Sequence, residues 1–270
     1  MSLTFPHGPL SDQPAVTNYE VTGPAHRLFF DDFPRRVRAL LGDITVFDTR
    51  RGKFLHETGT LPQLYVPRQD VRLDLLERSD RVTRCPFKGE GRYWSVRAAS
   101  RLAQDAVWAY AESAGMPSLQ DHLAFDWNCM DAWFDEDEQV HGHLRDPYHR
   151  VDIRESSRRV KVVVDGVTIA ETPHPRVLSE TGLPNRYYIA PEEVRAEYLL
   201  HSVTHTVCPY KGTASYKTIA VGTRRLEDAV WVYHEPLDGA LKISGWFSFL
   251  HDEVLLEVDG QRNTSLPHDR

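Results

Sequence analysis

The chain has 270 residues, 41% hydrophobic and 26% charged, with 32 Lys and Arg against 39 Asp and Glu. A formal charge of −7 excludes a general nucleic-acid binder, which needs clustered basic side chains. Three cysteines, no run of transmembrane length and no basic-apolar leader lead us to expect a cytoplasmic protein with reduced thiols and no membrane partner.

Residues 1–33 read as an N-terminal arm, rich at its start in Pro, Gly, Ser and Thr. A first domain is expected over 34–140. It opens on a strand–turn–strand from Val37 to Thr49 around Gly42-Asp43. Phe54-Leu55, Glu57-Thr58-Gly59 and an aromatic strand through Tyr65-Val66 follow, then a short helical turn at Pro67–Arg72. A strand from Leu73–Leu76 runs to Cys85-Pro86-Phe87-Lys88-Gly89. There Pro cannot continue a sheet ladder and Gly permits a turn, so the pentad reads as a strand end and loop. Tyr93–Val96 and Asp105–Tyr110 resume the sheet, and Leu123–Trp127 is a return strand. Ala132–Phe134 close the domain beside Asp135–Glu138, which reads as a solvated acidic edge.

Residues 141–155 read as a linker in which His141, His143 and His149 are surface histidines. A second domain is expected over 156–262 and a frayed tail over 263–270. Its hairpin signal is clear, with Val160-Lys161-Val162-Val163-Val164 and Val167-Thr168-Ile169-Ala170 flanking the preferred turn dipeptide Asp165-Gly166. The second domain repeats the first at a constant offset of 123 positions. Cys85-Pro86-Phe87-Lys88-Gly89 maps onto Cys208-Pro209-Tyr210-Lys211-Gly212, and Glu57-Thr58-Gly59 onto Glu180-Thr181-Gly182. Tyr65, Arg72, Thr83 and Tyr93 map onto Tyr188, Arg195, Thr206 and Tyr216, and Asp105-Ala106-Val107-Trp108 onto Asp228-Ala229-Val230-Trp231. The chain is a tandem duplication of a mainly β domain with few short helices.

Taken together, Glu-Thr-Gly, the aromatic strand, Pro-x-x-Val-Arg, the Cys-Pro-aromatic-Lys-Gly loop and Asp-x-x-Trp-x-Tyr resemble the DUF427 family, a domain of unknown function sometimes labelled a nucleotidyltransferase. The resemblance runs from about Val37 to Gly260 and looks like the family's two-copy members. It implies two tandem, pseudo-symmetric, β-tent-like (Mss4-like) domains that pair within the chain. It implies little about function. Many β-tent relatives bind zinc through two CxxC pairs, whereas each pentad here has one Cys and neither repeat has a CxxC. No metal and no cofactor is expected. The phosphate-binding glycine loops, the Gly-x-Ser-x-Gly elbow and the Gly-Ser turn with paired aspartates of polymerase-like nucleotidyltransferases are missing from the sequence.

The pentad is the sharpest candidate for chemistry. Lys three residues from a thiol can favour the thiolate, or can hold a carboxylate or phosphate. Equally, Cys can fill the core while Lys pairs with a neighbouring Glu. We expect Cys208, Lys211 and Tyr188 as catalytic candidates. Arg195, Glu180, His201 and Trp231 are expected to line the ligand site, with Cys85, Lys88, Arg72, Tyr65 and Trp108 as first-repeat counterparts. His201 and His205, four apart on a strand, should share a face but lack a third ligand for metal. Trp108 and Trp231 fit core aromatics as well as a wall for a ligand ring. The expected function is an enzyme acting on a small anionic metabolite, with a non-catalytic sensor or the labelled nucleotidyltransferase as alternatives.

Overall fold

The computed structural model describes residue 18, residues 23–110 and residues 119–263. The chain divides into two units, residues 1–146 and 147–270. In the first, the strands are β1 (Leu28–Asp32), β2 (Val37–Leu41), β3 (Ile44–Thr49), β4 (Lys53–Glu57), β5 (Gln63–Pro67) and β6 (Leu76–Cys85). They continue as β7 (Gly89–Ala98), β8 (Arg101–Tyr110), β9 (His122–Phe125), β10 (Ala132–Asp135) and β11 (Glu138–Val140). Among the described residues these form an antiparallel seven-stranded sheet, β1-β4-β5-β9-β8-β7-β6, and a four-stranded sheet, β11-β10-β2-β3.

The second unit repeats the plan. Its strands are β12 (Val151–Glu155), β13 (Val160–Val164), β14 (Val167–Thr172), β15 (Arg176–Glu180), β16 (Leu183–Ile189) and β17 (Leu199–Cys208). Then come β18 (Gly212–Val221), β19 (Arg224–Tyr233), β20 (Phe247–Phe249), β21 (Leu255–Val258) and β22 (Gln261–Arg262). They are ordered β12-β15-β16-β20-β19-β18-β17 and β14-β13-β21-β22. The helical turns are short 3-10 pieces such as Arg68–Asp70 and Pro191–Glu193.

Alternation along each strand decides which side chains meet. In the first unit Phe54, Leu64 and Val66 face the small sheet and join Val37, Ala39, Val46 and Phe47 in the main core. Their neighbours Leu55 and Tyr65 point the other way, into a separate cluster with Tyr110 and Ala124. The second unit does the same: Tyr187 and Ile189 join the inter-sheet core, while Leu178 and Tyr188 join Ala214 and Tyr233 on the outer face of the long sheet. This outer face carries the candidate site.

The expected arm and linker each contribute sheet. Leu28–Asp32 pairs with β4 and Val151–Glu155 with β15, since both segments satisfy the ladder groups of an otherwise open edge. Three of the four acids of the expected solvated edge, Glu136, Asp137 and Glu138, are exposed. Asp135 receives a bidentate pair from Arg35 at 2.6 and 2.7 Å, and Asp137 accepts from Arg38 at 2.9 Å.

Candidate functional site

Both pentads sit at the tip of a long hairpin. β17 ends at Cys208, β18 begins at Gly212, and the Lys211 N–H donates back to the Cys208 carbonyl at 3.3 Å. Gly212 has φ +100, and a Cβ there would meet Glu235 O at 3.3 Å and Leu237 N at 3.4 Å, so the turn requires glycine. The fold of this tip buries Lys211 and directs its ammonium onto Glu180 Oε2 at 2.5 Å.

Glu180 ends β15 and is claimed from its other side. His149 Nε2–H donates to Glu180 Oε1 at 3.0 Å, and the Tyr210 ring covers the imidazole with centroids 4.1 Å apart. The Glu-Thr-Gly triplet explains how His149 arrives there. The Arg150 N–H donates to Thr181 Oγ1 at 2.9 Å while the Thr181 N–H donates to the Arg150 carbonyl at 3.0 Å. The first unit repeats every part. His26 Nε2 donates to Glu57 Oε1 at 2.9 Å, Lys88 pairs with Glu57 Oε2, and Phe87 stacks on His26 at 3.6 Å. Arg27 and Thr58 make the same clamp. Each His–Glu–Lys cluster therefore joins three segments spaced 31 residues apart.

Burial pushes the Glu180 carboxyl up, but the His149 hydrogen bond and the Lys211 ammonium outweigh it and hold the group below its usual range. Beneath the cluster, Trp231 Nε1 donates to Tyr188 Oη at 3.0 Å. The two residues lie on strands separated by β20, where both register against the small Ser248, so the indole can span it. Burial drives the Tyr188 phenol well above its ordinary value despite that bond, and drives Tyr233 up as well. Trp108 and Tyr65 pair the same way, across Ala124. Cys208 and Cys85 pack into these aromatic clusters.

The structure thus gathers Glu180, Lys211, Tyr188, Trp231 and Cys208, and in the first unit Glu57, Lys88, Tyr65, Trp108 and Cys85. It places the other predicted site residues elsewhere. Arg195 is exposed, and its N–H donates to Ile169 O of β14, on the small-sheet side of the unit. Arg72 makes a bidentate pair with its near neighbour Asp74 at 2.8 and 2.6 Å. His201 is exposed on β17, seven residues from Cys208, roughly 20 Å along the strand. The pairing register shifts between His201 and His205, and both histidines are exposed.

The histidines at the cluster were missed by motif reading. His149 lay in the expected linker among surface histidines, and His26 in the arm. The signal was present, since His26-Arg27 and His149-Arg150 obey the same 123-residue offset as the pentads.

A family model described as a domain of unknown function (DUF427) matches residues 30–136 and 152–260. The chain belongs to the DUF427 family. Its two copies coincide with the two similar sets of sheets, as the tandem arrangement requires. A comparison with curated proteins finds no match. Among the described residues no three His, Cys, Asp or Glu side chains converge as a metal's ligands would, and no helix is long and apolar enough to cross a membrane. Two surface clefts of the second DUF427 copy, about 560 and 400 Å³, are lined in part by Arg158, Asn185 and Arg262 and by His174, Arg176 and Trp246. Neither includes a residue of the His–Glu–Lys cluster.

Proposed function

We propose that the outer face of the second DUF427 copy is a non-catalytic recognition site for a small polar molecule, centred on Glu180, Lys211 and His149. The observation that carries this reading is the charge state of the cluster. Lys211 is committed to Glu180, and the Glu180 carboxyl is held below and the Tyr188 phenol above their ordinary values, so neither is brought towards pH 7. An acid–base or nucleophilic catalyst needs a group poised near the working pH. A binding site needs fixed donors, acceptors and a ring face, and Glu180, Lys211, His149, Tyr210 and Trp231 supply those.

The test is a thermal-shift screen of a polar metabolite panel, nucleotides included, on wild type and on Glu180→Gln/Lys211→Met, which removes both charges together. Mass spectrometry of each incubated mixture reads turnover. The expected result is a ligand that stabilises wild type, fails with the double variant and is recovered chemically intact. A changed ligand would replace this reading with an enzyme, and a nucleotide product would restore the transferase label. Equal stabilisation of both proteins, or none, would make the cluster a structural clamp.

A further inference from the structure

One cation on this face is replaced by a neutral residue in the first copy. Arg186 of β16 lies two positions from Tyr188, and therefore on the same side of the sheet, beside Leu178 of β15. Its guanidinium carbon sits 5.9 Å from the centre of the Trp231 ring. Its Nη1 is shielded from solvent and has no hydrogen-bond acceptor among the described residues. The repeat offset places Gln63 at the same position of the first copy. That amide is satisfied, donating to Leu64 O at 3.1 Å and Phe125 O at 3.2 Å.

The substitution changes the charge balance of the site. Around Glu57 in the first copy, one carboxylate faces one permanent cation, Lys88. Around Glu180 one carboxylate faces two, because Lys211 is joined by Arg186, which is close enough to feel both Glu180 and Tyr188. Burial also pulls the Arg186 guanidinium down from its ordinary value. A half-buried cation with an unmatched donor is unfavourable for the fold unless an anion completes it. The residue is only half-buried, so part of it is open to solvent although Nη1 is not. Its planar fork suits the two oxygens of a carboxylate or phosphate, and Trp231 offers a flat face beside it.

We infer that Arg186 is the anion-selecting residue of the second DUF427 copy, which takes a small ligand bearing a carboxylate or phosphate, while the first copy with Gln63 does not. This rests on the recognition reading above, and it moves the anion-holding role from Arg195 to Arg186. The test uses the full chain with inorganic phosphate and, separately, benzoate as probes, at ionic strength matched with chloride. Thermal shift and calorimetric titration are read on wild type, Arg186→Gln and Arg186→Lys. One of the two anions should stabilise wild type, and which one identifies the group. Arg186→Gln should weaken binding about 10- to 100-fold, the loss of one charged hydrogen-bonded contact. Arg186→Lys, which keeps the charge but not the fork, should fall between.

Without ligand, Arg186→Gln should melt no lower than wild type, because it removes a half-buried cation whose Nη1 has no acceptor among the described residues. A clear fall in its unliganded melting temperature would mean that the guanidinium is structural. Anion binding equal in all three proteins, or no binding of either probe, would also overturn the inference. Neutral ligands from the metabolite panel that still bind Arg186→Gln would leave the recognition reading standing while the anion selectivity failed.

Discussion

Replacing Lys211 with Met tests the central contact of the site. The Lys211 and Glu180 side chains retain 11% and 9% of their exposure, so the pair belongs with desolvated ion pairs. Removing one member of a buried pair costs about 3–5 kcal/mol, against roughly 0–1 kcal/mol for a surface pair. His149 still donates to Glu180 in the variant, which places the expected loss near the lower end, about 3 kcal/mol. Glu180→Gln/Lys211→Met removes the stranded charge and should recover much of that loss, giving a coupling well above the few tenths of a kcal/mol seen for independent sites. Amide hydrogen exchange over β15 to β18 measures this within the second copy, with β4 to β7 of the first copy as the internal reference. A single-variant loss below about 1 kcal/mol, or a double variant equal to the sum of the singles, would refute the claim that this pair is desolvated and coupled.

Acid should weaken the second copy in a way that Glu180 controls. Its folded carboxyl titrates below the unfolded value, so its stabilisation is complete above the ordinary Glu range of about 4.3 and is lost as pH falls through the folded value. Exchange or urea denaturation from pH 6 to pH 3 should show the gap between wild type and Glu180→Gln closing as pH falls; a constant gap would contradict it. Gly212→Ala should destabilise more than Gly166→Ala, by over about 1 kcal/mol, in denaturant titrations. Both glycines have positive φ, but only at Gly212 does the new Cβ meet backbone atoms; at Gly166 it enters open space. Trp231→Phe removes the donor to the buried Tyr188 hydroxyl and should cost about 1–3 kcal/mol, with Trp231→His as a partial rescue.

Much of the architecture was legible because strand signals and turn chemistry agree. Asp165-Gly166 adopts φ of 48° and 77°, the conformation that hairpin dipeptides favour, between the Val-rich β13 and β14. The repeat offset by itself pairs the two pentads. It also aligns Thr83–Tyr93 with Thr206–Tyr216, which prove to be hydroxyl pairs at 3.1 and 2.9 Å. The edge strands β1 and β12 were hidden because a ladder partner, not a local pattern, makes them strands. His149 was hidden for the same reason: its role depends on Thr181 clamping Arg150, a contact across 31 residues. Asp105 and Asp228 are a further case. They repeat in sequence because both take positive φ where β7–β8 and β18–β19 shift register and the strand bulges, and the Asp228 carboxylate also accepts from Ser202 Oγ at 2.5 Å and Thr204 Oγ1 at 2.7 Å. Arg195 lies on the small-sheet side, because a motif position says nothing about which face of a two-sheet unit it serves.

The duplication separates what the cluster does for the fold from what it does beyond it. A buried carboxylate held by an ammonium is a weak source of stability, since an apolar replacement is often as good. Its directed bonds instead fix register, because Glu180, Lys211 and the clamped His149 can meet only when β12, β15 and the β17–β18 turn are in place. The first copy performs that task with its permanent charges balanced and Gln63 satisfied. Registering strands therefore needs no second cation. Arg186 adds one, with a shielded amino group that finds no acceptor among the described residues. A residue that opposes burial and contributes nothing to register is one whose identity the fold does not set, and such positions are where functional sites are found.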